Sequence, residues 1–207
     1  MTVQLPNSVL YERGEYALAS SHGGRLFEPA QFGIETEMLH TACYRGFLCT
    51  YETTKRGFFL FSLEIRSKHG LYPLINETPP SFPNGFYEGI ACKARYDEIG
   101  FRMAYTGTLR FGRDLDWKWQ IYGLALKPWM YHRVFEAEIA DGYVEYLRDI
   151  SGEVAEIRNQ HGDAKAWYEN QRKLLREELD KMCSQNSADQ NASDDCNGNK
   201  TGPKDSS

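Results

Sequence analysis

Hydrophobic and polar positions alternate at the two-residue period of a pleated strand through the middle of the chain, and take a helical spacing only near its end. Residues 46–52 (GFLCTYE) and 58–66 (FFLFSLEIR) are rich in aromatic and β-branched types. The five residues between them have the length and chemistry of a hairpin loop. In the second run, Phe59, Phe61, Leu63 and Ile65 are expected on one face, with Phe58, Leu60, Ser62, Glu64 and Arg66 on the other. Strand character returns over 103–111 (MAYTGTLRF). A second hairpin is predicted from 132–139 and 143–148, because Asp141-Gly142 supplies a pair that tolerates positive φ. Within it Val134, Glu136 and Glu138 alternate with Phe135, Ala137 and Ile139, which predicts one wet and one buried face. Tyr16 to Ala19 reads as a further short strand, and the rest of 1–45 is mixed.

Between the hairpins, residues 67–100 hold four of the eight prolines and read as a long irregular connection, a candidate lid over an open barrel end. From Asp163, a suitable N-cap, the pattern becomes helical and continues to about residue 183. Residues 184–207 are Ser, Asn, Asp, Gly and Lys with little to bury, so disorder is expected there. The predicted fold is therefore mainly β: an antiparallel curled sheet or small barrel-like meander, with a C-terminal α-helix. One globular domain over 1–183 is expected to carry it, followed by the tail. Aromatic residues at 14% favour the same class, since strands rather than helical bundles use them heavily.

The motifs Thr41-Ala42-Cys43-Tyr44-Arg45-Gly46, Tyr105-Thr106-Gly107-Thr108-Leu109-Arg110 and Phe135-Glu136-Ala137-Glu138 resemble those of an uncharacterised bacterial protein family. The resemblance spans half of the chain. It implies a single domain and brings no activity, cofactor or partner with it.

Charge narrows the partners. A net charge of −5 and a pI near 5.6 give no global attraction for phosphate, so nucleic acid is not an expected partner. The most apolar run, 57–63, is too short to cross a bilayer, and residues 1–10 lack the pattern of a secretory signal. A cytoplasmic protein without membrane contact is expected, with its five cysteines as reduced thiols. In that setting the Asn-x-Thr/Ser matches at Asn76 and Asn191 are chance.

Candidate chemistry is sparse. No phosphate-binding loop or Gly-x-Ser-x-Gly elbow occurs. His40, Cys43 and Cys49 have no recurring zinc spacing, so neither a metal nor a cofactor is expected, and these cysteines read as small core residues. Glu136 and Glu138 share a strand face about 7 Å apart, a separation that suits acid–base work, with His132 on the same strand. A solvated strand face is the simpler reading. The densest constellation is 110–133, where Arg110, Arg113, Trp117, Trp119, Tyr122, Trp129 and His132 offer stacking rings beside cationic donors. Trp117 and Trp119, two apart, would share one face of a strand.

Three functions follow. The first is a non-catalytic binding protein that recognises a protein partner, of inhibitor, immunity or adaptor type. The second is a small-ligand-binding β-barrel lined by Arg110, Trp117, Trp119 and Tyr122. The third is a hydrolase-type enzyme using Glu136, Glu138 and His132.

Overall fold

The structure, a computed structural model, describes residues 4–83, 93–120, 125–174 and 176–177. Contacts divide the chain into two compact units, Met1–Gln160 and His161–Ser207.

The first unit is mainly β, as the alternation predicts. Its strands are β1 (Ser8–Tyr11), β2 (Gly14–Gly23), β3 (Phe47–Thr54), β4 (Gly57–Arg66), β5 (Lys93–Tyr96), β6 (Phe101–Arg102), β7 (Gly107–Leu115), β8 (Tyr131–Ala140) and β9 (Tyr143–Asp149). They form one open sheet in the order β5-β4-β3-β1-β2-β7-β8-β9, with β6 also on β4. Both predicted hairpins are present, β3–β4 and β8–β9. The second turns on Asp141 and Gly142 at φ 48° and 76°, the paired positive values that its sequence supplies.

Four features depart from the sequence reading. β1 runs parallel to β3, so the sheet is mixed rather than purely antiparallel. In β4 the buried residues are Phe58, Leu60, Leu63 and Ile65, so the two predicted faces exchange midway. The cause is a bulge: Thr50 pairs with Ser62 but Tyr51 with Leu60, which leaves Phe61 extra and inverts the alternation. The 67–100 connection contains β5, and its Ile75, Ala94, Tyr96 and Ile99 are buried, so its described part is core rather than a lid. Residues 84–92 lie outside the described residues. Finally, Ser151–Gln160 is a helix, α1, where the pattern gave no clear signal; it buries Val154 alone.

The concave side of the sheet is packed with rings. Tyr11 and Phe135 lie 5.0 Å apart, Tyr16 and Phe111 5.5 Å, and Tyr51 and Phe58 5.0 Å, mostly in tilted or edge-on geometry. Buried tyrosines also use their hydroxyls. Tyr51 accepts the Phe27 amide at 3.2 Å, Tyr96 donates to the Pro73 carbonyl at 2.9 Å, and Tyr105 donates to the His22 carbonyl at 3.1 Å. On the convex side a smaller cluster of Tyr131, Val134, Ile150 and Val154 seats α1. Arg158 of α1 locks it there, donating from Nε to the Trp129 carbonyl at 2.7 Å and from its amino end to the Tyr131 carbonyl. The predicted wet face of β8 is therefore dry at Val134.

The second unit begins with a helix over 164–174, continuing at 176–177. Asp163 caps it as expected, accepting the Lys165 and Ala166 amides at 3.2 Å. The expected end of this helix near 183 and the tail at 184–207 lie outside the described residues. No helix among the described residues is long and apolar enough to cross a membrane.

The sheet's two halves meet at their turns. The Phe58 amide donates to the Gly142 carbonyl at 2.8 Å, and the Gly142 amide donates to the Tyr105 carbonyl at 2.8 Å. A Cβ on Gly142 would stand 2.3 Å from the Met103 carbonyl oxygen, at a φ that side chains disfavour. Gly142→Ala is expected to lower unfolding free energy by about 2–3 kcal/mol in chemical denaturation, with unchanged strand content in the folded baseline.

Candidate functional site

Residues of β7, β8 and the segments joining them carry the side chains that the sequence singles out, and the structure sorts them into separate places. Trp117–Trp119 is a 3₁₀ turn rather than strand. Its two tryptophans consequently point apart. Trp119 is 2% exposed and meets Trp129 edge-on at 5.1 Å, whereas Trp117 is 71% exposed. Tyr122 lies outside the described residues.

His132 stands apart from both glutamates. Its Nε2 is 3.9 Å from Asp116 and its Nδ1 3.4 Å from Arg158. Burial opposes ionisation of Asp116, but Lys118 and His132 outweigh it and hold the carboxyl below its ordinary value of 3.8. Four positions along β8 put His132 about 13 Å of strand rise from Glu136.

Arg110, Glu136 and Arg148 are in register across β7, β8 and β9, and form one ionic row on the convex face. Glu136 is 6% exposed. Arg110 Nε donates to its Oε2 at 2.7 Å, and Arg148 donates to its Oε1 at 2.8 Å from one amino nitrogen and at 3.1 Å from Nε. Arg148 also pairs with Glu153 of α1. Burial alone would raise the Glu136 pKa; the two guanidiniums reverse this and hold it below its ordinary 4.5. A carboxylate with both oxygens taken up by cations is a poor proton donor or nucleophile. Glu138 is exposed on the same face, and the shallow hollow of about 340 Å³ beside the row also includes His22 and Thr108. This arrangement suits a structural strut better than two-carboxylate chemistry.

Arg113 and Trp117 share a different place, a cleft of about 560 Å³ on the side of β2 and β7. Its floor is made of Ala17, Gly112 and Tyr131, and its walls include Leu115, Trp117 and Leu126. Gly112 is required there: a Cβ would stand 2.7 Å from the Tyr131 side chain, which lies flat across it. Leu5 and Pro6 complete the rim. They are held by the Leu5 amide on the Ala42 carbonyl at 2.8 Å, and by Gln4, which bonds Thr41 and the Tyr44 amide. The Thr41–Gly46 motif thus serves as an anchor for the N-terminal arm.

Polar groups in this cleft are few. Tyr131 is 3% exposed, and its hydroxyl has no hydrogen-bond partner among the described residues. Burial pushes the phenol up to about 12, so it stays a neutral donor near neutral pH. Arg113 also lines the cleft, but its guanidinium lies over the Tyr16 ring of the concave side, 5.2 Å from the ring centre, and 3.7 Å from Asp114; its Nε has no hydrogen-bond acceptor among the described residues. Asp114 holds a positive φ of 59°, backbone strain at the rim. Arg113 and Trp117 were legible as candidates from residue type. Ala17, Gly112, Tyr131 and Leu5 were not, since single small or apolar residues form no motif.

Elsewhere, His40, Cys43 and Cys49 do not converge on a metal. Among the described residues no group of three or more potential ligands does. Cys43 and Cys49 are buried free thiols, and burial pushes the Cys49 thiol up to about 12.

The ionic row makes a prediction that separates strut from catalyst. Because its folded pKa is depressed, Glu136 contributes stability that is complete above the ordinary carboxylate value and is lost as pH falls through the folded one. Glu136→Gln should cost about 2–3 kcal/mol at pH 7, discounted for the half-exposed arginines, and flatten the acid limb of the stability profile. Unchanged stability across pH 3–7 would remove the strut role.

Comparison with protein-family models, with characterised proteins and with solved structures found no match to this chain.

Proposed function

We propose that this is a non-catalytic binding protein whose ligand is a small molecule held in the cleft over Gly112. One observation carries the reading: a largely apolar cleft is lined by Tyr131, whose buried hydroxyl nothing among the described residues satisfies. Leaving such a donor unpaired costs about 1–3 kcal/mol, a cost that a ligand acceptor would offset. A concave apolar site with a few convergent polar groups is the usual form of a small-molecule pocket.

The lining specifies the ligand class. The small floor residues and the exposed Trp117 ring suit a flat, largely apolar body, and the indole face adds stacking. Tyr131 calls for a hydrogen-bond acceptor, such as a carboxylate or sulfonate oxygen. The buried thiols fit a reducing, cytoplasmic setting. The enzyme reading is less well supported, because His132 is remote from the glutamates and Glu136 is engaged by two arginines.

The test uses 1-anilinonaphthalene-8-sulfonate, an aromatic anion of this class, titrated against the full chain. Saturable one-site binding is expected. Tyr131→Phe should weaken it about 2–10-fold while leaving unfolding stability equal or higher, since the variant removes an unsatisfied group. Trp117→Ala should weaken binding with stability within about 0.5 kcal/mol of the parent. If Tyr131→Phe instead destabilises the protein and binds the probe as before, the hydroxyl serves the fold and the ligand reading fails.

A further inference from the structure

A second cleft, of about 520 Å³, opens where β9 passes the tips of the β1–β2 and β3–β4 hairpins. It shares no lining residue with the cleft at Gly112. Tyr11, Val144 and Leu147 line it and pack against the main core, so it is the mouth of the curled sheet. Thr53 also lines it. This residue is 3% exposed, and its hydroxyl has no hydrogen-bond partner among the described residues.

One wall of the mouth is backbone. β9 is an edge strand that pairs with β8 alone. Among the described residues no backbone bond joins its outer side, from Val144 to Asp149, to any other segment. An unpaired strand edge is a template for another extended chain. A bulge shapes this one: Glu138 pairs with Tyr146 and Ile139 with Val144, so Glu145 is the extra residue and lines the mouth.

Charge decides what can approach. Glu12, Glu52 and Glu145 line the mouth against a single Lys55, and none of the four is in an ion pair among the described residues. A second copy of this acidic chain, adding edge to edge, would bring its own Glu145 against these carboxylates, and like charges opposed across strands are unfavourable. A basic strand has the complementary pattern. Its alternate side chains would meet the apolar floor of Tyr11, Val144 and Leu147, and the others the carboxylates.

We propose that this mouth binds a basic, extended segment of a partner protein by strand addition to β9. Backbone bonds supply the affinity, the carboxylate rim selects the charge, and the Thr53 hydroxyl gains a partner. The interaction is independent of the small-molecule cleft and accommodates a protein partner beside it.

The experiment uses the full chain and three synthetic probes: a short peptide of alternating lysine and valine, its glutamate–valine counterpart, and the basic peptide N-methylated on its bonding edge. Binding is followed by titration and by amide hydrogen exchange. The basic peptide is expected to bind and to slow exchange over 143–149. Binding should weaken as salt is raised, and by about tenfold in the combined Glu12→Gln, Glu52→Gln and Glu145→Gln variant. Failure of the basic peptide to bind, equal binding of the acidic peptide, or undiminished binding to the triple variant would each overturn the proposal. Equal binding of the N-methylated peptide to the unaltered protein would overturn strand addition without recourse to any variant.

Discussion

The hydrogen bond from the Phe58 amide to the Gly142 carbonyl governs how far the sheet curls. A nine-stranded sheet with a ring-filled concave side has to bend until that side is covered, yet nothing in strand pairing alone fixes where the bending stops. Here the β3–β4 and β8–β9 hairpins touch at their turns, and the segment leading from β6 to β7 lies against both, through Met103 on Phe58 and Tyr105 on Gly142. The approach is possible because both turns carry glycine; a Cβ on Gly57 would stand 2.6 Å from the Gly142 carbonyl oxygen. One contact therefore has two consequences. It closes the sheet over the core at the turns, and it lets β9 leave without a partner beyond them, which creates the mouth.

The convex side solves a different problem. β7 and β8 present Thr108, Arg110, Glu136 and Glu138 there, and a helix has to pack on the rest of the face. The helix takes the end marked by Val134, where Ala17 and Ala19 of β2 give it room. The transition from dry to wet falls at Glu136, whose carboxylate would be expensive to bury alone. Arg110 and Arg148, one strand away on either side, neutralise it while their own outer ends stay hydrated. Glu153 then ties the row to the helix. What reads along one strand as a pair of acid–base carboxylates becomes, across three strands, a boundary post.

That difference explains what was legible in the sequence. Local signals survived folding: the two hairpins, the Asp141-Gly142 turn, the Asp163 cap and the predominance of strands follow from alternation and turn chemistry. Signals that depend on a neighbour in space did not. The Phe61 bulge reverses the faces of β4, and nothing in its apolar run marks the slip, because both faces are hydrophobic. β1 is four residues long and joins β3 in parallel from far along the chain, so no turn announces the pairing. α1 buries one apolar residue and has no stripe to detect. At the candidate site, Arg113 and Trp117 were visible as types, but the turn at Trp117–Trp119 sends Trp119 inward. The floor residues Ala17 and Gly112 acquire meaning only when β2 and β7 pair, as Ala17 and Gly112 do directly.

Tyr131 differs from the other deeply buried tyrosines of the fold. Tyr51, Tyr96 and Tyr105 are as deeply buried as Tyr131, and each has a carbonyl or amide within hydrogen-bond distance of its hydroxyl. Tyr51 and Tyr96 find theirs in the connecting segments at Phe27 and Pro73, and Tyr105 in the strand carbonyls of His22 and Thr108. Tyr131 starts a strand and lies across Gly112 of the paired strand, and its hydroxyl meets no such group among the described residues. A phenylalanine would keep the same packing and avoid the unmet hydroxyl, so packing alone supplies no reason for tyrosine at this position. The hydroxyl is a donor with no acceptor among the described residues, and that is the feature on which the proposed ligand depends.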